Sequence, residues 1–205
     1  MSQEIQFRPA NSQDAKTIAP LVYSSGPSAF DYIFSHNTSL SALQFLEKTL
    51  QRPGGEFGFR NHRVAELDNE VVGVATSFTG KDSLSFMLVA IGQILRHYGP
   101  GAPGVMRRGL QVESMIVPPD REEFCIAHVG VSPLHRNKGI GRILMQHMIK
   151  KGKNSRCSRI ILDVSAENPA ALSLYESLGF HVKEKRASRF SNSTATLSDH
   201  LRMEL

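Results

Sequence analysis

Cysteine is scarce: Cys125 and Cys157 are the only two in 205 residues. Two thiols make no disulfide framework, and they predict reduced side chains in a cytoplasmic protein. Long apolar runs are missing as well. The longest, Phe86 to Leu95, is interrupted by Gly92 and Gln93 and is too short to span a bilayer. The opening residues, Met-Ser-Gln-Glu-Ile-Gln-Phe-Arg, hold no apolar signal core, which again predicts the cytoplasm. On that expectation the Asn-x-Ser/Thr sequences at Asn37 and Asn192 carry no meaning. There is no Gly-x-x-x-x-Gly-Lys-Ser/Thr, which excludes a P-loop nucleotidase. The eight histidines show neither His-Glu-x-x-His nor paired ligand spacing, so no metal site is expected. Repeats and heptads are absent.

What is present is an ordinary soluble composition, 40% hydrophobic and 21% charged. The length predicts a single decorated domain over 1–205. A short strand is expected at 5–8, followed by a helix capped by Asn11 and limited by Pro20 and Gly26-Pro27. A second helix is expected at 40–50. Runs at 63–67 and 70–78 flank Asp68-Asn69 and predict a β-hairpin. Residues 81–121 look like an insertion, with a helix over 83–97, a breaker cluster at 98–104 and a further helix at 105–115. Its expected role is a lid or a partner surface. From 123 onward the pattern is strand (123–131), helix (140–149), strand (159–164), helix (169–178) and two closing strands (180–185, 200–205). That is α/β order around an open sheet, where ligands bind at the junctions of strand ends and helix starts.

The first chemical feature is the turn Arg136-Asn-Lys-Gly-Ile-Gly-Arg142 between the 123–131 strand and its helix. Amide N–H groups at a helix start, together with the helix dipole, make an anion site. Glycine lets a phosphate approach the backbone. Between Arg136 and Arg159 there are eight Lys/Arg and no Asp/Glu, against a whole-chain net charge of +5. That local excess suits a pyrophosphate. A dinucleotide fingerprint is disfavoured, because the third glycine position is Leu144, although Asp163 mimics the ribose-binding acid. The second feature is Asn168-Pro-Ala-Ala171-Leu-Ser-Leu-Tyr175, followed by Leu-Gly-Phe180. Asn168 suits a helix N-cap and Pro169 the first helical position. Asn168, Ala171 and Tyr175 fall on one helix face, and Tyr175 alone would serve equally as a core tyrosine.

Together these two features resemble the GNAT superfamily, the acyl-CoA-dependent N-acyltransferases. Arg136-Asn-Lys-Gly-Ile-Gly141 is similar to its Arg/Gln-x-x-Gly-x-Gly/Ala signature, and Asn168 to Tyr175 to its second motif. The opening Phe7-Arg-Pro-Ala-Asn-Ser-Gln-Asp14 also looks like a GNAT start. The resemblance implies a mixed, mostly antiparallel α/β sheet with splayed fourth and fifth strands, helices on both faces, and an extra helical insertion between the third and fourth strands. It implies acetyl-CoA as co-substrate, an amine as acceptor and no metal. Val129 and Val131 would bind the pantetheine arm and acyl carbonyl through their backbones. Arg136, Asn137, Lys138, Gly139, Ile140, Gly141 and Arg142 would wrap the pyrophosphate. Asn168 and Ala171 would border the arm, and Tyr175 would act as general acid, protonating the departing CoA thiolate.

The general base stays open at this point. Cys125 and Ala127 occupy the positions where the family often places one. Glu123 lies further back on the same strand face, His128 faces the other way unless a bulge turns it, and Glu113 qualifies if the insertion folds over the site. A water relay, or an amine arriving already neutral, would need none of them. A nucleophilic Cys125 is disfavoured, since Cys125 and His128 point to opposite strand faces. Two rivals remain: a non-catalytic acyl-CoA sensor, and a nucleic-acid binder using the basic 136–159 face. The latter lacks the aromatic residues that base stacking needs. The apolar insertion would suit a homodimer, as in many GNAT relatives, and no membrane association is expected.

Overall fold

The computed structural model describes residues 4–35 and 40–205; Asn37 lies outside them. Among the described residues seven strands form one sheet in the order β1-β2-β3-β4-β5-β7-β6. They are β1 (Gln6–Pro9), β2 (His62–Leu67), β3 (Glu70–Thr79), β4 (Glu123–Val131), β5 (Arg159–Ser165), β6 (His181–Arg186) and β7 (His200–Glu204). Every neighbouring pair is antiparallel except β4–β5, which is parallel. The hairpin turn of β2 and β3 carries Asp68 and Asn69 at φ of 52° and 65°. Two consecutive left-handed residues make a type I′ turn, whose twist matches that of the flanking strands.

Helices cover both faces. On one side lie α1 (Ala15–Ser24), α2 (Pro27–Phe34), α3 (Ala42–Leu50), α4 (Ser83–Tyr98) and α5 (Ala102–Glu113). Their core includes Ile18, Val22, Phe30, Phe45 and Leu46 packed on Val64 and Val74 of the sheet. On the other side lie α6 (Ile140–Lys153) and α7 (Pro169–Ser177). There Ile140, Leu144, Met148 and Tyr175 pack on Ala65, Phe124, Ile126, Ile160 and Leu162. Strand alternation explains the split: Val64 and Ala65 are adjacent and point to opposite faces.

One expectation about the N-terminal helices fails. Pro20 does not limit α1, which runs through it to Ser24. Pro20 is exposed, while Ile18, Ala19, Leu21 and Val22 bury the inner face, and that packing outweighs the missing N–H. Gly26-Pro27 ends α1 but also begins α2, because proline at a first helical position gives up an N–H that would be unpaired there anyway.

The 81–121 insertion is tied down. Tyr98 donates its hydroxyl to the Phe34 carbonyl at 2.6 Å. The Arg108 guanidinium caps α2 by donating to the Ile33 carbonyl at 3.0 and 2.8 Å. At its far end, Arg186 donates to the Met115 carbonyl and Arg202 to the Val117 carbonyl. Arg202 also holds Asp163 with bonds of 3.1 and 2.7 Å, so Asp163 serves the fold rather than a ribose. The outer face of α4 leaves Leu84, Met87, Leu88, Ile91 and Leu95 exposed.

Candidate active site

The parallel β4–β5 pairing lasts only from Glu123–Cys125 against Arg159–Ile161. From Ile126 onward β4 has no β5 partner, and the later residues of β5 pair with β7 alone. The two strands therefore part, leaving a cleft with backbone groups of β4 along one edge. Buried strands do not leave ladder groups unpaired without a use for them.

At the open end of that cleft sits the 136–142 turn. Asn137 and Gly139 are left-handed at φ of 60° and 80°, and α6 begins at Ile140 with no side-chain cap. Its first N–H groups thus lack intrahelical partners and carry the positive end of the dipole. Gly139 is required by its backbone angle, since a Cβ there would meet nothing within 4 Å. Gly141 is required by space: an added Cβ would lie 3.5 Å from Leu174 and 3.7 Å from Val131, and any larger side chain would fill the junction of α6, α7 and β4. Arg136, Lys138 and Arg142 are exposed, and none has a carboxylate partner among the described residues. A site of this kind fits the pyrophosphate of a coenzyme.

Across the cleft, Asn168 caps α7, accepting from the Ala171 N–H at 3.1 Å. Ala171 and Tyr175 follow on the same face, half-buried and buried. Tyr175 packs on Phe180 and its hydroxyl is pushed up to about 12 by burial, so the phenol keeps its proton at neutral pH. The start of α6 meets α7 directly: Arg142 donates to the Ser177 hydroxyl at 2.6 Å, and Gly141 lies beside Leu174 and Val131.

The base candidates separate. Glu123 starts β4, where β4 is still paired with β5. Its carboxylate accepts from the Asp120 N–H at 2.8 Å and pairs with Arg159 at 3.2 Å, so it is engaged away from the cleft. Cys125 is buried, its thiol pushed well up by burial and by Asp163, which leaves no thiolate to attack. His128 is different. The β3–β4 register shifts between Val74 and Thr76, and His128 takes φ of 52°. This bulge turns His128 from the α6 face, where Phe124 and Ile126 lie, to the α1–α3 face. Its ring stacks on Phe57 at 5.2 Å and lies 5.8 Å from Phe30.

Two partners of His128 carry no sequence motif and were not foreseen. His128 Nε2 lies 3.3 Å from Glu56 Oε1, and Nδ1 lies 3.4 Å from His62 Nε2. His62 Nδ1 is 3.0 Å from the Gly58 carbonyl. A carbonyl only accepts, so His62 carries its proton on Nδ1 and presents a lone pair at Nε2. His128 must then donate from Nδ1, which leaves its Nε2 facing Glu56. His62 is fully buried, and burial followed by the neighbouring His128 pushes it down to about 3, so it stays neutral. Glu113, at the end of α5, is pushed up by burial and by the Glu56 carboxylate, which brings the insertion's acid near the same place. Among the described residues no group of three His, Cys, Asp or Glu is arranged to hold a metal. No described helix is long and apolar enough to cross a membrane.

Residues 28–180 match the family model for the Acetyltransferase (GNAT) family. That is most of the chain, and the protein belongs to this family. It is 37% identical over 60 residues to the [Ribosomal protein bS18]-alanine N-acetyltransferase of Escherichia coli K12, covering 29% of this chain and 40% of that one. It is 37% identical over 65 residues to N-alpha-acetyltransferase 30 of Saccharomyces cerevisiae, covering 32% of this chain and 36% of that one. The matches thus span about two-fifths of the length of these relatives. Among solved structures, an N-acetyltransferase from Staphylococcus aureus Mu50 superposes with a TM-score of 0.67 at 17% identity, covering 98% of this chain and 100% of the other. The Escherichia coli ribosomal-protein-S18-alanine N-acetyltransferase gives 0.55 at 18% identity, covering 98% and 93%. These likenesses carry the fold, a mixed sheet with one parallel pair and helices on both faces.

Proposed function

We propose that this chain, acting over 1–205 as one catalytic unit, transfers an acetyl group from acetyl-CoA to a primary amine. The observation that carries the reading is the parting of β4 from β5 beside the uncapped start of α6. The N–H groups of 139–142, with Arg136, Lys138 and Arg142, hold the pyrophosphate. The β4 backbone at Val129 and Val131 lines up the pantetheine arm and the acyl carbonyl, and donors preset there stabilise the oxyanion. Asn168 and Ala171 border the arm.

His128 serves as the base. Its Nδ1–H is committed to His62, so Nε2 is the lone pair that takes the amine's proton. The imidazolium then donates to Glu56. Glu56 and Glu113 favour an acceptor that arrives as a cation. The amine nitrogen attacks the thioester carbon, the C–S bond breaks, the proton still on that nitrogen passes to the leaving sulfur, and Tyr175 donates a hydrogen bond to the sulfur as it departs. A phenol near 12 does not surrender its proton outright to a thiolate whose thiol has pKa ~8.5; it stabilises the anion as it forms. Positioning two substrates supplies much of the remaining rate. The two relatives named above acetylate, by their names, α-amino groups, a chemistry compatible with this acceptor class. The reading places the protein in the cytoplasm, supported by the unpaired thiols of Cys125 and Cys157. It allows a homodimer through the exposed face of α4.

Calorimetric titration with acetyl-CoA, desulfo-CoA and ATP tests the cofactor assignment. Micromolar acetyl-CoA binding with ATP much weaker supports it; absence of coenzyme binding overturns it.

A further inference from the structure

A second concavity lies outside the β4–β5 cleft. It has a volume of about 720 Å³ and is bounded by the C-terminal half of α3, residues 51–54 and α4. That size falls within the roughly 300–1,000 Å³ of small-molecule sites. Its charge is one-sided. Lys48, Arg52 and Arg96 line it, and no Asp or Glu does. None of the three takes part in an ion pair among the described residues. All three are exposed, so their charged ends are free to turn to an anion at the cavity.

His97 adds an independent observation. Both of its ring nitrogens are buried with no hydrogen-bond partner, although the ring lines the cavity. Burial and Lys48 push it down, so it offers one N–H donor and one lone pair rather than a charge. A buried polar group left unpaired asks for a partner that the protein itself does not supply. The rest of the lining mixes the apolar Val89 and Pro53 with the polar Thr49, Gln51 and Gln93. Gly92 has open space where a Cβ would stand, so α4 leaves room at that point.

We propose that this cavity binds a small organic phosphate ester, its apolar body over Val89 and Pro53 and its phosphate among Lys48, Arg52 and Arg96. The charge selects the class. Three cations match a phosphate of about −1.5 to −2 better than a single carboxylate, and guanidinium forks suit phosphate oxygens. The apolar lining separates an ester from inorganic phosphate. The site is distinct from the coenzyme cleft but adjoins the acceptor side: the same connection supplies the cavity wall at 51–54 and, directly after it, Glu56 and Phe57 beside His128.

The test is calorimetry on the full chain saturated with desulfo-CoA, which occupies the coenzyme cleft. Three probes are titrated: phenyl phosphate, inorganic phosphate and benzoate. The expected result is saturable one-to-one binding of phenyl phosphate, at least tenfold tighter than either of the others. Lys48→Gln combined with Arg96→Gln should weaken it at least tenfold and leave desulfo-CoA affinity unchanged. Gly92→Leu, a substitution into open space on an exposed helix position, should block it by filling the cavity. No saturable heat with phenyl phosphate overturns the proposal, as does equal binding of benzoate or binding indifferent to all three substitutions. If desulfo-CoA itself fails to bind, the acetyltransferase reading fails, while the same probes and variants on the free chain still decide the cavity.

Discussion

His62 gives the fold a specific sensitivity to acid. Its ring is fully buried in β2, with Nδ1 on the Gly58 carbonyl and Nε2 toward His128. Its folded pKa is about 3, against about 6.5 when exposed in the unfolded chain. Between those values the unfolded state binds more protons, so stability falls as pH falls below 6.5 and the loss levels off near 3. At pH 5 the loss from this one group is about 2 kcal/mol, from ~1.36 kcal/mol per unit over the ~1.5 units between 6.5 and 5. Urea denaturation at pH 7.5 and 5.0 measures it, with His62→Asn as reference, since the Asn amide can still donate to Gly58. Asp14, held low chiefly by its hydrogen bond from Arg8, contributes its own acid loss equally in both proteins. The wild type should lose about 2 kcal/mol more than the variant between the two pH values. Equal losses would refute a neutral, buried His62 and with it the proton order assigned to His128.

Three further outcomes are expected. Gly139→Ala forces a side chain into φ of 80°, so it should cost about 1–2 kcal/mol in denaturation and weaken acetyl-CoA measurably by calorimetry. Tyr175→Phe should lower kcat roughly 10- to 100-fold while leaving the Kd for acetyl-CoA within about twofold, because the lost hydrogen bond forms only as the thiolate leaves; unchanged turnover would remove Tyr175 from the reaction. If copies pair through α4, Leu88→Asp, at a position 60% exposed, should leave the melting temperature nearly unchanged and convert the sedimenting species to a monomer.

Where local chemistry marked an element, the sequence was readable. Asp68-Asn69 announced the hairpin, Asn168-Pro169 the start of α7, and Gly179, at φ of 97°, its stop. The 136–142 turn was readable for the same reason, because glycine and cations at a helix start are local features. Gly26-Pro27 marked the end of α1, and the same dipeptide also opens α2. The bulge at His128 leaves no residue-type mark: Ala127-His128-Val129 contains no glycine, and the left-handed angle is imposed by the strand pairing to β3. Glu56 and His62 stayed invisible because their link to His128 is long-range, 66 positions in the case of His62, and no periodicity reports such a contact. Glu123 looked suitable on strand alternation alone; only its bonds to Asp120 and Arg159 show it engaged.

The most direct test of the central claim is release of free CoA from acetyl-CoA by the wild-type chain against a panel of primary amines, with His128→Gln alongside. The account predicts release that requires both protein and amine, acetylated amine as the other product, and a large fall in rate for the variant with acetyl-CoA affinity preserved. Tight acetyl-CoA binding with no amine-dependent release across the panel would contradict it and make the chain a coenzyme-binding module without turnover.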